Sequence, residues 1–297
     1  MTLRPLAGLL ITCLVTTSSV AAQRSPTAPA EDLRSADPSA RALAFEKLNR
    51  HPDTFAVAGM AELLLATVKQ ENALIYGTLA RSNGQEGVSD RYGEGYGEYA
   101  SGLSVVCLRY CNLSNPDAVR TLASGPFAGS SVIGQTLAAR YPALVLPIAL
   151  ENARRGTFGR QIEGIHLLAE ILRLEHTLTA VQRRSVDSAL VSSMSSESPI
   201  VSSIAVNAVN RTFQAGAQID ENRRAAYHRA LIGATKSVHT DTRIAAVRGI
   251  AEFRDLRDRA LLTELAARDS ARTTNGGRTQ FPVRDAASTA LAALARP

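Results

Sequence analysis

The feature that most limits how this chain can fold is a pattern that returns every 41 residues through its C-terminal half. The stretch Val283-Arg284-Asp285-Ala286-Ala287-Ser288-Thr289-Ala290-Leu291 puts Val283, Ala286, Ala287, Ala290 and Leu291 on one helical stripe. One step of 41 earlier stands Thr242-Arg243-Ile244-Ala245-Ala246-Val247-Arg248-Gly249-Ile250, and a second step gives Val201-Ser202-Ser203-Ile204-Ala205-Val206-Asn207-Ala208-Val209. A third gives Arg160-Gln161-Ile162-Glu163-Gly164-Ile165-His166-Leu167-Leu168, in which Gly164 takes the small position that Ala205, Ala246 and Ala287 fill. A partner helix recurs as well: Ala189-Leu190-Val191 and Ala230-Leu231-Ile232 are 41 apart, and Ala149-Leu150 lies 40 before the first of these. The unit is therefore a helical hairpin, and such a unit buries its apolar face only by stacking on its neighbours.

Composition agrees. Hydrophobic residues make up 45% of the 297, but aromatics only 5%, and tryptophan is absent. A core so poor in rings must be built from Leu, Ala, Val and Ile, which suits close-packed helices better than strands that favour aromatic and β-branched residues. The expected fold class is all-α. The net charge of +6 is spread along the chain without a basic run, so no nucleic-acid partner is expected.

The first 22 residues have three parts: Arg4, an apolar run from Leu6 to Val15, and small residues at Val20-Ala21-Ala22 where a signal peptidase cuts. This is the pattern of a secretory signal peptide, and the run is too short to span a bilayer. The mature chain is expected to begin near Gln23, to be exported to a periplasm or the extracellular space, and to have no membrane span after cleavage. Residues 23–35 open on Gln-Arg-Ser-Pro-Thr-Ala-Pro-Ala, a proline-rich stretch without periodicity that reads as a disordered linker. Residues 36–296 form the repeat domain.

Val283 to Leu291 resembles the second helix of a HEAT repeat, as does Asp241-Thr242-Arg243-Ile244-Ala245-Ala246-Val247. Asp37-Pro38-Ser39-Ala40-Arg41-Ala42-Leu43-Ala44-Phe45-Glu46-Lys47-Leu48 looks like another copy. The resemblance covers roughly residues 36 to 50 and 115 to 296, and it implies an α-α superhelix, a HEAT-like (armadillo-like) solenoid of helical hairpins. It departs from the pattern where Ser202 and Gln161 replace arginine, and after Asp117-Ala118-Val119-Arg120, where Gly125-Pro126 breaks the register. What such a resemblance implies about function is a concave surface that holds a protein or peptide partner in the cell envelope.

One segment reads differently. Residues 82–102 hold six of the 20 glycines and three of the seven tyrosines: Tyr92, Tyr96 and Tyr99. That many glycines oppose a helix, so this reading makes the segment a Gly/Tyr-rich loop insertion between a long apolar helix around Phe55 to Leu79 and a helix starting near Leu103. Tyrosines on a flexible backbone offer contact area with a polar tip, and all three are candidates for partner recognition. Just beyond, Cys107 and Cys111 are the two cysteines left after signal removal, and an even count in an oxidising compartment suggests a disulfide. Asn112-Leu113-Ser114 and Asn210-Arg211-Thr212 match glycosylation sequons.

Catalytic patterns are missing. The histidines His51, His166, His176, His228 and His239 include no pair at helical metal-ligand spacing around a glutamate, and none lies beside a cysteine. There is no Gly-x-Ser-x-Gly elbow and no phosphate-binding loop ending in Gly-Lys-Ser or Gly-Lys-Thr, so no cofactor, no metal and no catalytic residue is expected. The reading is an exported, non-catalytic binding scaffold. The alternative is an exported enzyme or regulatory sensor whose active part is the 82–102 insertion, and the third reading is a structural spacer.

Overall fold

The computed structural model describes residues 27–82, 87–174, 177–214, 219–275 and 278–295. The signal peptide expected over residues 1–22 lies outside them. The chain is all-α, with fifteen α-helices among the described residues and one short hairpin of strands. The first seven helices are α1 Thr27–Asp32, α2 Pro38–Asn49, α3 Met60–Ser82, α4 Val88–Tyr92, α5 Tyr96–Tyr110, α6 Pro116–Ala123 and α7 Ser131–Arg140. The rest are α8 Pro142–Arg155, α9 Phe158–Arg173, α10 Ala180–Met194, α11 Pro199–Gln214, α12 Glu221–Ala234, α13 Thr240–Phe253, α14 Arg259–Arg268 and α15 Pro282–Leu294.

Local chemistry sets these boundaries. Asp37 caps α2 by accepting from the Ser39 N–H, with Pro38 in the first turn, and Asn115 and Pro116 do the same for α6. Thr179 and Gln182 form a reciprocal capping box on α10, and Asp220 accepts from the Arg223 N–H at the start of α12.

From α8 onward the helices pair as α8/α9, α10/α11, α12/α13 and α14/α15, and each pair packs on the next. Helices α9, α11, α13 and α15 are successive neighbours in one layer, while α8, α10 and α12 neighbour one another in a second. The 41-residue register predicts this contact. Gly164, Ala205, Ala246 and Ala287 are all buried, and Leu168, Val209 and Ile250 are fully buried. The small position is small because backbones meet there: a Cβ on Gly164 would stand 2.5 Å from the Ala153 nitrogen and 2.9 Å from the Ala149 oxygen of α8. Leu291, equivalent to Ile250, is only half-buried in α15.

Three sequence expectations change. The 23–35 segment is not a linker throughout: α1 lies within it and packs on α2, and Leu33 is completely buried, so an apolar side chain ties the segment to the core. Residues 23–26 lie outside the described part. The long apolar helix does not run through Phe55, which sits in a 3-10 turn, Pro52–Ala56; Gly59, with φ of +81°, breaks the chain before α3 starts. The described part of the 82–102 segment is α4 and the first half of α5, not a loop. Gly93 and Gly95, with φ of +93° and +82°, form the turn between α4 and α5, whereas Gly97 and Gly102 lie within α5. The stripe Tyr96, Tyr99, Ala100, Leu103 and Cys107 is the buried face of α5.

The sequence also missed a two-stranded antiparallel hairpin, β1 Thr273–Asn275 and β2 Arg278–Gln280, between α14 and α15. Its base is anchored by Asp269, whose carboxylate accepts from Arg243 Nε at 2.9 Å and whose backbone oxygen accepts from Arg284 Nε at 2.7 Å.

Candidate binding surfaces

The repeat register builds one surface. On the side of α9, α11, α13 and α15 facing away from the core, His166, Asn207, Arg248 and Thr289 are equivalent positions, as are Glu170, Arg211, Glu252 and Ala293 one turn further on. Asn207, Arg248, Thr289, Arg211 and Glu252 are exposed, although the residues beside them in sequence are core. Neighbouring helices are joined across this face. Arg211 Nη2 lies 3.0 Å from His166 Nδ1, and Gln214 Nε2 donates to Glu252 Oε1 at 3.0 Å. With arginine on one side, Nδ1 must accept, so the ring is neutral; burial first, and then Arg211, push the His166 pKa down to about 4. Between α13 and α15 the face opens into a groove of about 600 Å³ with Ala251, Ala286 and Ala290 in its floor and Arg248, Glu252 and Asp285 on its rim.

The same face explains why the register fails after Arg120. The loop following α6 docks on α9: the Gly129 N–H donates to Glu163 Oε2 at 2.8 Å, and a Cβ on Gly129 would collide with the His166 side chain. Burial pushes the Glu163 carboxyl up to about 8, against the opposing pull of the Gly129 hydrogen bond. Just before the loop, Asn72 of α3 braces α6 by donating to the Thr121 oxygen at 3.1 Å. The Gly-Pro break is thus a docked loop.

The tyrosines expected in a recognition loop are divided. Tyr92 is half-buried, while Tyr96 and Tyr99 are 3% and 7% exposed. The hydroxyls of Tyr96 and Tyr99 turn inward, each donating to a different oxygen of Glu71 in α3, the Tyr99 bond being 2.9 Å long. Arg41 of α2 completes the cluster: its Nε donates to Glu71 Oε1 at 2.5 Å, and its Nη1 donates to the Ser35 and Ala36 oxygens at 2.7 and 3.1 Å. Arg41 and Glu71 are 0% and 1% exposed. Such a pair persists without water only because three donors converge on the carboxylate. Burial, and then Glu71, push both tyrosines above the usual phenol range. As free recognition side chains, Tyr96 and Tyr99 are therefore corrected: their polar tips serve the core, and only their ring edges reach the surface.

Cys107 and Cys111 are placed as a disulfide in the last turn of α5, with Cα atoms 4.9 Å apart. Asn210 of the second sequon is only 6% exposed and donates to the Ala245 oxygen at 2.9 Å, so it is not open to glycosylation, whereas Asn112 is exposed.

Among the described residues one group of three could face a cation: His228, Asp255 and Asp258. It is already satisfied internally. His228 Nε2 lies 2.8 Å from Asp258 Oδ2, and Arg257 grips Asp255 with both its Nε and its Nη2, holding that carboxyl down to about 2. No helix among the described residues is long and apolar enough to cross a membrane. No protein-family model matches the chain, and no curated protein shows significant similarity to it.

Proposed function

We propose that this chain is an exported, non-catalytic scaffold of the HEAT-repeat kind that holds a protein or peptide on the face shared by α9, α11, α13 and α15. The observation that carries this reading is the register itself. Positions 207, 248 and 289 present Asn, Arg and Thr outward on neighbouring helices, with the half-buried His166 at the equivalent position beside the docked loop, while the positions between them build an aliphatic core. At about 10 Å per packed helix, four such positions extend about 30 Å, the length of a nine-residue extended segment. Arg211 and Arg248 alternate with Glu170 and Glu252, a pattern that selects the register of a partner carrying both charges.

The alternative, an enzyme or sensor, placed its active part in an irregular insertion over 82–102, and the described part of that segment is helical, α4 and the first half of α5. The test is site-specific photo-crosslinking from positions 207 and 248 in the exported fraction, repeated with Arg211→Glu/Arg248→Glu. A discrete adduct that weakens at least several-fold in the double variant is expected. Adducts that are absent, or indifferent to charge reversal, would leave the structural spacer as the better reading. N-terminal sequencing of the same material should start near Gln23; a chain still bearing Thr2 or Leu3 would contradict export by cleavage.

A further inference from the structure

The tyrosines of α4 and α5 border a second hollow, separate from the repeat face. It lies between α2 and the start of α5, has a volume of about 630 Å³, and carries Phe45, Tyr92, Tyr96 and Tyr99 in its wall. These rings form a continuous row. Centroids are 5.0 Å apart for Tyr92 and Tyr96, 5.5 Å for Tyr96 and Tyr99, and 5.5 Å for Tyr99 and Phe45. Leu43, 52% exposed, extends the apolar side. The other side is acidic, with Glu46, Glu94 and Glu98, and among the described residues no Lys, Arg or His lines the hollow.

On a chain of net charge +6, this is a local inversion of sign. Glu46 is paired with exposed Arg50 at 2.5 Å, but Glu94 and Glu98 make no ion pair among the described residues, and both are exposed. The hydroxyls of Tyr96 and Tyr99 are turned away to Glu71, so ring edges, not phenol donors, border the hollow, and the half-buried Tyr92 is the most accessible ring of the row. A ring face attracts cations through its quadrupole, and Arg91 already places its guanidinium 5.9 Å from the Tyr92 centroid at one end of the row. Gly95 and Gly102, which lack side chains, keep the floor open; a Cβ on Gly102 would sit 3.3 Å from the Phe45 ring.

We propose that this hollow receives a lysine or arginine side chain from an extended segment of a partner protein, the alkyl stem lying on Leu43, Tyr92 and the ring edges beside them and the cationic head between Glu94 and Glu98. An apolar wall with carboxylates at its far rim matches the two-part chemistry of such a side chain. The proposal shares with the scaffold reading only the expectation of a protein partner, and it concerns different residues, so either can fail alone.

The test titrates the mature protein, with tyrosine rings carbon-13 labelled, with three probes at low salt: acetyl-Ala-Lys-Ala-amide, its norleucine counterpart, and tetramethylammonium chloride. Saturable shifts of the Tyr92, Tyr96 and Tyr99 ring signals are expected with the lysine peptide, with affinity at least about ten-fold above that of the norleucine peptide. Glu94→Gln/Glu98→Gln should weaken the lysine peptide about five-fold, with an unchanged circular dichroism spectrum, and added salt should weaken it further. Equal affinity for lysine and norleucine, or for the wild-type and double-variant proteins, would overturn the proposal. So would ring shifts produced by tetramethylammonium but not by the lysine peptide.

Discussion

Two regions of this molecule solve the same packing problem with opposite materials. Between α9 and α15, helices meet through small and aliphatic residues at fixed register positions, with Ala205, Ala246 and Ala287 buried along with Val206, Val247 and Val283. Between α2 and α5, the centre is an ion pair, Arg41 with Glu71, enclosed by two tyrosine hydroxyls. A third cluster lies between these extremes. Asp187 of α10 accepts from Arg223 Nε at 2.6 Å and from the Tyr227 hydroxyl at 2.7 Å, using the same residue types, but its charged side chains keep 16% and 13% exposure. The comparison teaches that a repeating interface tolerates simple chemistry because each copy restates the geometry, whereas a unique interface needs directional bonds that fix one arrangement.

The largest expected effect breaks the aliphatic side. Ile250→Asp places an unpaired carboxylate at a fully buried register position and should cost at least about 4 kcal/mol in chemical denaturation, while Leu291→Asp, at the half-buried equivalent, should cost only about 1–2 kcal/mol. Equal losses at the two positions would mean that the register does not set burial.

Next in size is the ionic side. Glu71→Ala leaves Arg41 charged and dry and should cost about 3–5 kcal/mol, whereas Asp187→Ala, whose Arg223 keeps a path to water, should cost about 1–2 kcal/mol. The pair Arg41→Met/Glu71→Leu should recover most of the Glu71→Ala loss, because removing both charges removes the desolvation cost along with the attraction. Failure of the double variant to recover would assign the stability to the tyrosine hydrogen bonds.

The smallest effect concerns the joint between the two regions, where the loop after α6 rests on α9. The Glu163 carboxyl, raised from 4.5 to about 8, is protonated in the folded state over a range where the unfolded chain has lost its proton, so stability falls as pH rises through that range. His166, lowered from 6.5 to about 4, works the other way: stability rises with pH between those values. The two oppose each other up to 6.5, and above it Glu163 acts without that counterweight. Urea midpoints should therefore decline between pH 6.5 and 8, and Glu163→Gln should flatten that decline; an unchanged slope in the variant would place its origin elsewhere.

The sequence made the repeating region legible and the unique region opaque, for a physical reason. Positions 164, 205, 246 and 287 restate one another, so chance similarity at any one is corrected by the rest. Arg41 and Glu71 occur once, 30 residues apart, and nothing in either neighbourhood marks them as partners. The tyrosine segment did carry a usable signal: Tyr96, Tyr99, Ala100, Leu103 and Cys107 follow helical spacing. Glycine content outweighed it, although the two glycines with positive φ, Gly93 and Gly95, lie before α5 and not within it. The β-hairpin was likewise announced by Thr-Thr-Asn-Gly-Gly-Arg-Thr-Gln over 273–280, a turn-like core between polar strands that an all-helical reading passed over.

The 41-residue register places α9, α11, α13 and α15 side by side in chain order, so that positions 207, 248 and 289 form one continuous surface, with the equivalent His166 beside the docked loop at its α9 end. Pulsed electron-spin distances test it directly, with labels on cysteines introduced in pairs at these positions in the oxidised mature protein. The expected distances are about 20 Å for 166–248, about 20 Å for 207–289 and about 30 Å for 166–289, one helix diameter per step. A 166–289 distance no longer than the other two would contradict it, because the helices would then not follow one another in a row.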